Sequence, residues 1–265
     1  MLKKQRIDAP WTPASVKGLD DPFHYASSTY HTAIPEEVSN NSLDPVCLGV
    51  DEAGRGPVLG PMVYGIAYCL ELYHDKIKQF GFADSKVLKD DVRRTLLESM
   101  ELKDHELLKN IGWATRTLTA RDILSGMLRP NNVGGGPGAY NLNEQAHDAT
   151  IQLVREVLKS GVKVTLLYVD TVGPPISYQA KLRKEFPQIE NIVVAKKADS
   201  IYQIVSAASV VDKVTRSMNL EFYRESMAIL QGQNLGSGYP SDPNTSKWLN
   251  GHVDQVFGWH FGLIR

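Results

Sequence analysis

Four acids stand where a chain seldom puts them. Asp51 and Glu52 close a short apolar run, Asp170 closes another, and Asp199 opens a long, nearly uncharged stretch. An ionised carboxylate beside a core is costly unless it is paired or holds a cation. Taken singly, Asp51 and Glu52 also read as solvated strand-end acids, and Asp199 as a helix N-cap. Brought together from two strand ends and a helix start, the four would form an all-oxygen site. Hard oxygen donors suit Mg²⁺ or Mn²⁺ rather than zinc. Two such ions can clamp the attacking water and the leaving oxygen of an in-line phosphoryl displacement.

The segment after the first pair supplies more. Gly54 and Gly56 allow close backbone approach to a ligand, and Arg55 between them carries a fork that matches a phosphate. Alone, a Gly-Arg-Gly link is equally a plain hairpin turn. Other chemistries lose their main support. There is no GxGxxG after a strand, no GxxxxGK[ST], no HExxH and no GxSxG. Gly134 to Gly136 have no Lys-Ser/Thr after them, and the seven histidines have no ligand spacing. His147 falls within a helical pattern and reads as packed or exposed. Cys47 and Cys69 lie in apolar runs outside any CxxC, which reads as buried reduced thiols.

The elements that must hold these residues follow from periodicity. Residues 46–50 and 61–70 are apolar runs joined by the Gly-rich link, so they are predicted to be antiparallel neighbours. Helices are predicted over 89–100, 120–127, 143–158, 176–186, 200–227 and 245–251, and further strands over 111–118, 162–169 and 191–194. Residues 1–45 are polar and punctuated by Pro10, Pro13, Pro22, Pro35 and Pro45, which predicts an irregular extension. Strands first and strand–helix–strand units later predict a mixed α/β sheet with helices packed on it. The 265 residues, 42% hydrophobic, suit one large domain with a small appendage. The net charge of −1 is not that of a generally basic nucleic-acid protein, so any electrostatic footprint must be local. Apolar runs are too short to span a bilayer and no secretory h-region opens the chain, so a soluble intracellular protein is expected.

Five segments in order carry a resemblance. Val50-Asp51-Glu52-Ala53-Gly54-Arg55-Gly56-Pro57, Asp84-Ser85-Lys86, Tyr168-Val169-Asp170-Thr171-Val172-Gly173, Lys197-Ala198-Asp199 and Gly236-Ser237-Gly238-Tyr239-Pro240 resemble the motifs of type 2 ribonucleases H. Asn141-Leu142-Asn143 and His147-Asp148 resemble the eukaryotic, fungal-like branch of catalytic subunits. The ordered set covers roughly residues 46 to 260. The resemblance implies a ribonuclease H-like fold, with a catalytic domain over 46–230 and a small C-terminal helical part over 231–265. It implies Mg²⁺, with Mn²⁺ as substitute, and Asp51, Glu52, Asp170 and Asp199 as catalytic, metal-binding acids. The implied reaction cuts the RNA strand of RNA–DNA hybrids, and duplex DNA on the 5′ side of single ribonucleotides. Gly54, Arg55 and Gly56 match the loop that senses the 2′-hydroxyl, and Tyr239 the tyrosine that stacks at the RNA-to-DNA junction. Lys86 is similar to a phosphate-contacting lysine, and Asn141 is placed with the substrate contacts. Two accessory subunits, a nuclear location, and roles in ribonucleotide and RNA-primer removal are implied as well.

The chain departs from the family in two ways. Asp212 stands where alanine is usual and Ser217 where aspartate is usual. On a continuous helix Asp212 would lie about 20 Å along the axis from Asp199 at roughly 1.5 Å per residue, too far to share a site. The chain also stops in the apolar run Phe261-Gly262-Leu263-Ile264-Arg265, which reads as a truncated tail. Two rival functions remain open at this point: a DNA-junction nuclease on the same fold, and an inactive scaffold subunit.

Overall fold

The computed structural model describes residues 11–17, 19, 26–84, 87–130, 138–171, 173–228, 230–256, 258–259 and 264. At its centre lies a six-stranded mixed sheet of β1 (Ser28–His31), β2 (Val46–Ala53), β3 (Met62–Leu70), β4 (Gly112–Leu118), β5 (Val164–Asp170) and β6 (Asn191–Ala195). The order across the sheet is β1-β4-β3-β2-β5-β6. β2 and β3 are antiparallel, as the short link requires, while β2–β5 and β5–β6 are parallel. Val50 pairs with Val169. Asp51 and Asp170 therefore leave the carboxyl ends of neighbouring parallel strands at one level.

Helices cover both faces. α7 (Gln203–Ser226) lies across β2 and β3, whereas α5 (Leu142–Lys159) and α6 (Pro175–Glu185) pack on the other side. Gly49 and Gly65 permit the close seat of α7. A Cβ on Gly49 would stand 2.6 Å from the carbonyl of Ile204, and one on Gly65 would stand 2.7 Å from the carbonyl oxygen of Ala208. α7 begins with residues that are buried all round, Ile204 to Val211, which explains why that opening stretch carries no charge. The core is thus split by the sheet. Leu48, Val50, Tyr64 and Val154 belong to one half, and Cys47, Trp113, Val205 and Val211 to the other. Cys47 and Cys69 are free buried thiols, 3.6 Å apart across β2 and β3.

α2 (Asp90–Glu101), α4 (Ala120–Met127) and α8 (Pro243–Gly251) complete the expected helices within a residue or two of the predicted bounds. α4 and α8 start on side-chain caps, Thr119 and Asp242, the latter followed by Pro243 at the first helical position. α8 packs through Trp248 on a separate apolar cluster with Leu59, Tyr223, Met227, Leu230 and Ile264.

Two sequence expectations are corrected. Residues 28–31 and 36–40, expected to be irregular, form β1 and α1 (Glu36–Asn40), because β1 pairs along the edge of β4. Four residues with one partner strand carry too short a pattern to read. Asp199 does not open α7: it sits in a single 3-10 turn, Ala198–Ser200, and the helix proper begins after Tyr202. α3 (Glu106–Asn110) and the 3-10 segment Glu71–Phe80 had no counterpart in the sequence reading.

Candidate active site

Strand alternation places Asp51 on the α7 face of the sheet and turns Glu52 away from it. Asp51, on that face, is 4% exposed. Its Oδ1 accepts from the Glu52 amide at 2.8 Å, and its Oδ2 from Lys213 Nζ at 3.0 Å. Asp170 Oδ1 accepts from the amides of Thr171, at 2.8 Å, and Ala198, at 3.3 Å. The second bond ties the end of β5 to the 3-10 turn that carries Asp199. That turn is entered through Lys197 in the left-handed region, at φ 58°. Asp199 is 7% exposed as a result. One carboxylate oxygen from each of Asp51, Asp170 and Asp199 lies within 4.8 Å of the others, an arrangement that a divalent cation fits.

Glu52 is outside that group. It sits at the boundary of two clefts, one of about 740 Å³ holding the three aspartates and one of about 230 Å³ with Tyr64, His147 and Tyr178. Its Oε1 is buried without a hydrogen-bond partner among the described residues, and Arg55 Nη1 is 3.7 Å away. Burial, and then the charge of Asp51, raise the Glu52 carboxyl to about 8. Burial followed by Asp51 likewise lifts Asp170 to about 6, against the two amide bonds that lower it. Both shifts come first from burial and then from crowded like charge, which a bound cation would offset.

The Gly54–Gly56 loop lines the larger cleft together with Tyr239. Gly54 has φ +88°, and a Cβ there would meet the Pro61 carbonyl oxygen and Arg216 Nε at 2.5 Å. A Cβ on Gly56 would be 2.8 Å from Tyr239 Cε1. The ring is held there by backbone: the Gly238 carbonyl accepts from Val58 N at 2.7 Å, and Gly238 N donates to Thr245 Oγ1 at 3.0 Å. Arg55 donates through Nη2 to Asn143 Oδ1, which anchors the loop on α5. Asn141, two residues earlier, caps that helix in a reciprocal box with Glu144. His147 stacks on Tyr178 with ring centroids 4.0 Å apart. Lys86 lies outside the described residues, as do Gly134 to Gly136.

The chain is similar to known proteins over most of its length. The model of the family Ribonuclease HII matches residues 48–261. The chain belongs to the ribonuclease HII family. It is 50% identical over 239 residues to a ribonuclease H2 subunit of Schizosaccharomyces pombe, covering 90% of this chain and 69% of that one. The corresponding human ribonuclease H2 subunit is 44% identical over 218 residues, 82% of this chain and 68% of the relative. Among solved structures, ribonuclease H2 from Pyrococcus horikoshii OT3 superposes with a TM-score of 0.63 at 28% identity, over 83% of this chain and 92% of that one. Membership makes the chain a ribonuclease, and the mixed sheet with flanking helices is the ribonuclease H-like fold.

Within this ribonuclease HII cleft the sequence reading missed the cations on α7. Lys213 bonds Asp51 and Ser209 Oγ, and Arg216 donates to the Leu59 carbonyl at 2.9 Å while packing under Gly54. The signal was their helical spacing: Ser209, Lys213 and Arg216 follow at four and three residues, just after the uncharged first half of the helix. Asp212 stays outside the three-aspartate group, as expected, though the premise of one continuous helix fails because α7 begins at Gln203. It is fully buried and lies within electrostatic reach of Asp51, Glu52 and Asp199.

Proposed function

We propose that this chain is an endoribonuclease that hydrolyses the RNA strand of RNA–DNA hybrids and cuts on the 5′ side of single ribonucleotides in duplex DNA by a two-metal mechanism. The observation that carries this reading is one cleft shared by Asp51, Asp170, Asp199, the Gly54–Gly56 loop and Tyr239. The three aspartates, with Glu52 beside them, would hold Mg²⁺, or Mn²⁺ in its place. Held there, such ions would supply Lewis-acid charge to phosphoryl transfer. The protein's own groups select and orient the substrate. Loop backbone reads the 2′-hydroxyl, the group that distinguishes RNA from DNA locally. The Tyr239 ring packs on the sugar at the junction. Arg55, Lys86 and Asn141 contact the strand, and Asp51 is held in place through its bonds to Lys213 and the Glu52 amide.

On this reading residues 46–230 form the catalytic domain and 231–265 a C-terminal helical part. The relatives' designation as one subunit of a larger enzyme supports assembly with two accessory subunits. The reading places the enzyme in the nucleus, in ribonucleotide removal and in removal of RNA primers during replication. Among the described residues no helix is long and apolar enough to cross a membrane.

The test is cleavage of a labelled DNA duplex containing one ribonucleotide, with Mg²⁺, by the chain alone and with accessory subunits. A single cut 5′ of the ribonucleotide is expected, and Asp51→Asn is expected to abolish it with the melting profile retained. Cutting of an all-DNA duplex would favour a junction nuclease. Tight hybrid binding without a cut under either condition would overturn the reading.

A further inference from the structure

Asp212 occupies a costly position. It is 0% exposed on α7, and neither of its carboxylate oxygens has a hydrogen-bond partner among the described residues. A buried polar group left so calls for a physical reason. Its surroundings supply one. Lys213 Nζ stands between two acids, 3.0 Å from Asp51 Oδ2 and 3.9 Å from Asp212 Oδ1, and it also donates to Ser209. Asp212 is packed close to the sheet: a Cβ on Gly65, the residue opposite Asp51 in the β2–β3 ladder, would stand 2.9 Å from its Cβ.

A divalent cation on Asp51 and the ammonium of Lys213 compete for one carboxylate and repel each other. Asp212 gives Lys213 an alternative carboxyl whose oxygens have no other hydrogen-bond partner among the described residues. A displacement of ~1 Å brings the 3.9 Å separation to the length of a charge-assisted hydrogen bond. We infer that Asp212 is a positioning residue that takes Lys213 over from Asp51 when a divalent cation binds the Asp51–Asp170–Asp199 group. This rests on the reading of those aspartates as metal ligands.

The charges around Asp212 fit the exchange. Asp51 and Glu52 act on it electrostatically from β2, Asp199 from the 3-10 turn and Lys213 from its own helix. Burial, and then the three acids, hold its proton on, while Lys213 works the other way. The approach of Lys213 supplies the opposite charge that favours the ionised carboxyl, so as Lys213 shifts onto Asp212 the proton passes to solvent and the carboxylate pairs with the ammonium.

The experiment is calorimetric titration of the full chain with MgCl₂ and no substrate, in two buffers of different ionisation enthalpy. Asp212→Asn is expected to bind Mg²⁺ at least about fivefold more weakly, a coupling of ordinary size, and to release fewer protons on binding. In a Lys213→Gln background the same substitution is expected to change neither quantity. Unaltered affinity and proton release in Asp212→Asn would overturn the inference, as would an equal loss in both backgrounds. Asp51→Asn separates the two claims. If it binds Mg²⁺ as the wild type does, the metal-site reading fails; if it loses Mg²⁺ while Asp212→Asn binds normally, only the role of Asp212 fails. Thermal melts of each variant report that the protein is folded.

Discussion

A carboxyl with nothing to accept from must give up stability somewhere. Asp212 is held protonated well above the ordinary carboxylate range, first by burial, with Asp51, Glu52 and Asp199 adding to it and Lys213 opposing. Once the pH passes the unfolded value, the unfolded chain loses this proton and the folded chain keeps it. Stability is therefore full below the unfolded pKa and falls as pH rises toward the folded one, by at most about 1.4 kcal/mol per pH unit. Asp212→Ala is expected to raise the melting temperature at neutral pH, with a gain that shrinks toward pH ~4 as the difference in protonation closes. Melts across that range check it, and a gain independent of pH would refute the assignment of the proton. Tyr239 carries a different expectation. Its ring is 48% exposed and rests on Gly56, where it can meet the sugar beside the cut. Tyr239→Ala should lose about tenfold more activity on DNA with one ribonucleotide than on a long hybrid, in line with ~1–3 kcal/mol for a ring contact. Equal losses on the two substrates would remove the junction role.

Elements that were long and strongly patterned were legible from composition alone. β2 and β3 read as an antiparallel pair because two apolar runs flank a short Gly-rich link, and α4 was predicted over its observed span, which the structure caps with Thr119. The three aspartates were legible because each ends or precedes such an element. Elements defined by partners were not. β1 is a strand only because β4 offers it an edge, and the turn carrying Asp199 exists because Ala198 N bonds Asp170 across 28 residues. The cations of α7 were visible as residues, but the depth at which the helix sits on the sheet was not. That depth is set by Gly49 and Gly65, and it is what brings Lys213 onto Asp51. Gly49→Ala is accordingly expected to destabilise the protein by ~1–3 kcal/mol or more, since its new methyl would press on the backbone of Ile204 and Val205. Gly251→Ala at the end of α8, where a Cβ meets nothing within 4 Å, is expected to cost little or nothing. Urea denaturation of the pair measures both, and similar losses would mean that α7 can lift off the sheet.

At the scale of the whole molecule the charge is nearly balanced, at −1, yet the cleft is rimmed by Arg55, Arg93, Lys196, Lys197, Lys213 and Arg216. These six cations are not equivalent. Lys213 is committed to Asp51 and Arg216 to the Leu59 carbonyl, so both act inside the site. Lys196 and Lys197 are exposed beside the turn that carries Asp199, where a duplex backbone would pass. A lysine that neutralises a phosphate releases a condensed counterion, which steepens the fall of affinity with salt by roughly 0.9 per contact on duplex DNA. Phosphate contacts carry no sequence information, so they should serve RNA-containing and all-DNA duplexes alike. The double substitution Lys196→Gln/Lys197→Gln is therefore expected to weaken binding to both duplexes by a similar factor. It should also flatten the plot of log K against log salt by about 2 units, ~0.9 for each lysine lost. Fluorescence anisotropy of the two duplexes over a salt series, with the chain folded and no divalent metal added, supplies both numbers. An unchanged slope would mean that these lysines do not touch phosphate. A loss confined to the RNA-containing duplex would move them from general backbone binding to recognition of the ribonucleotide.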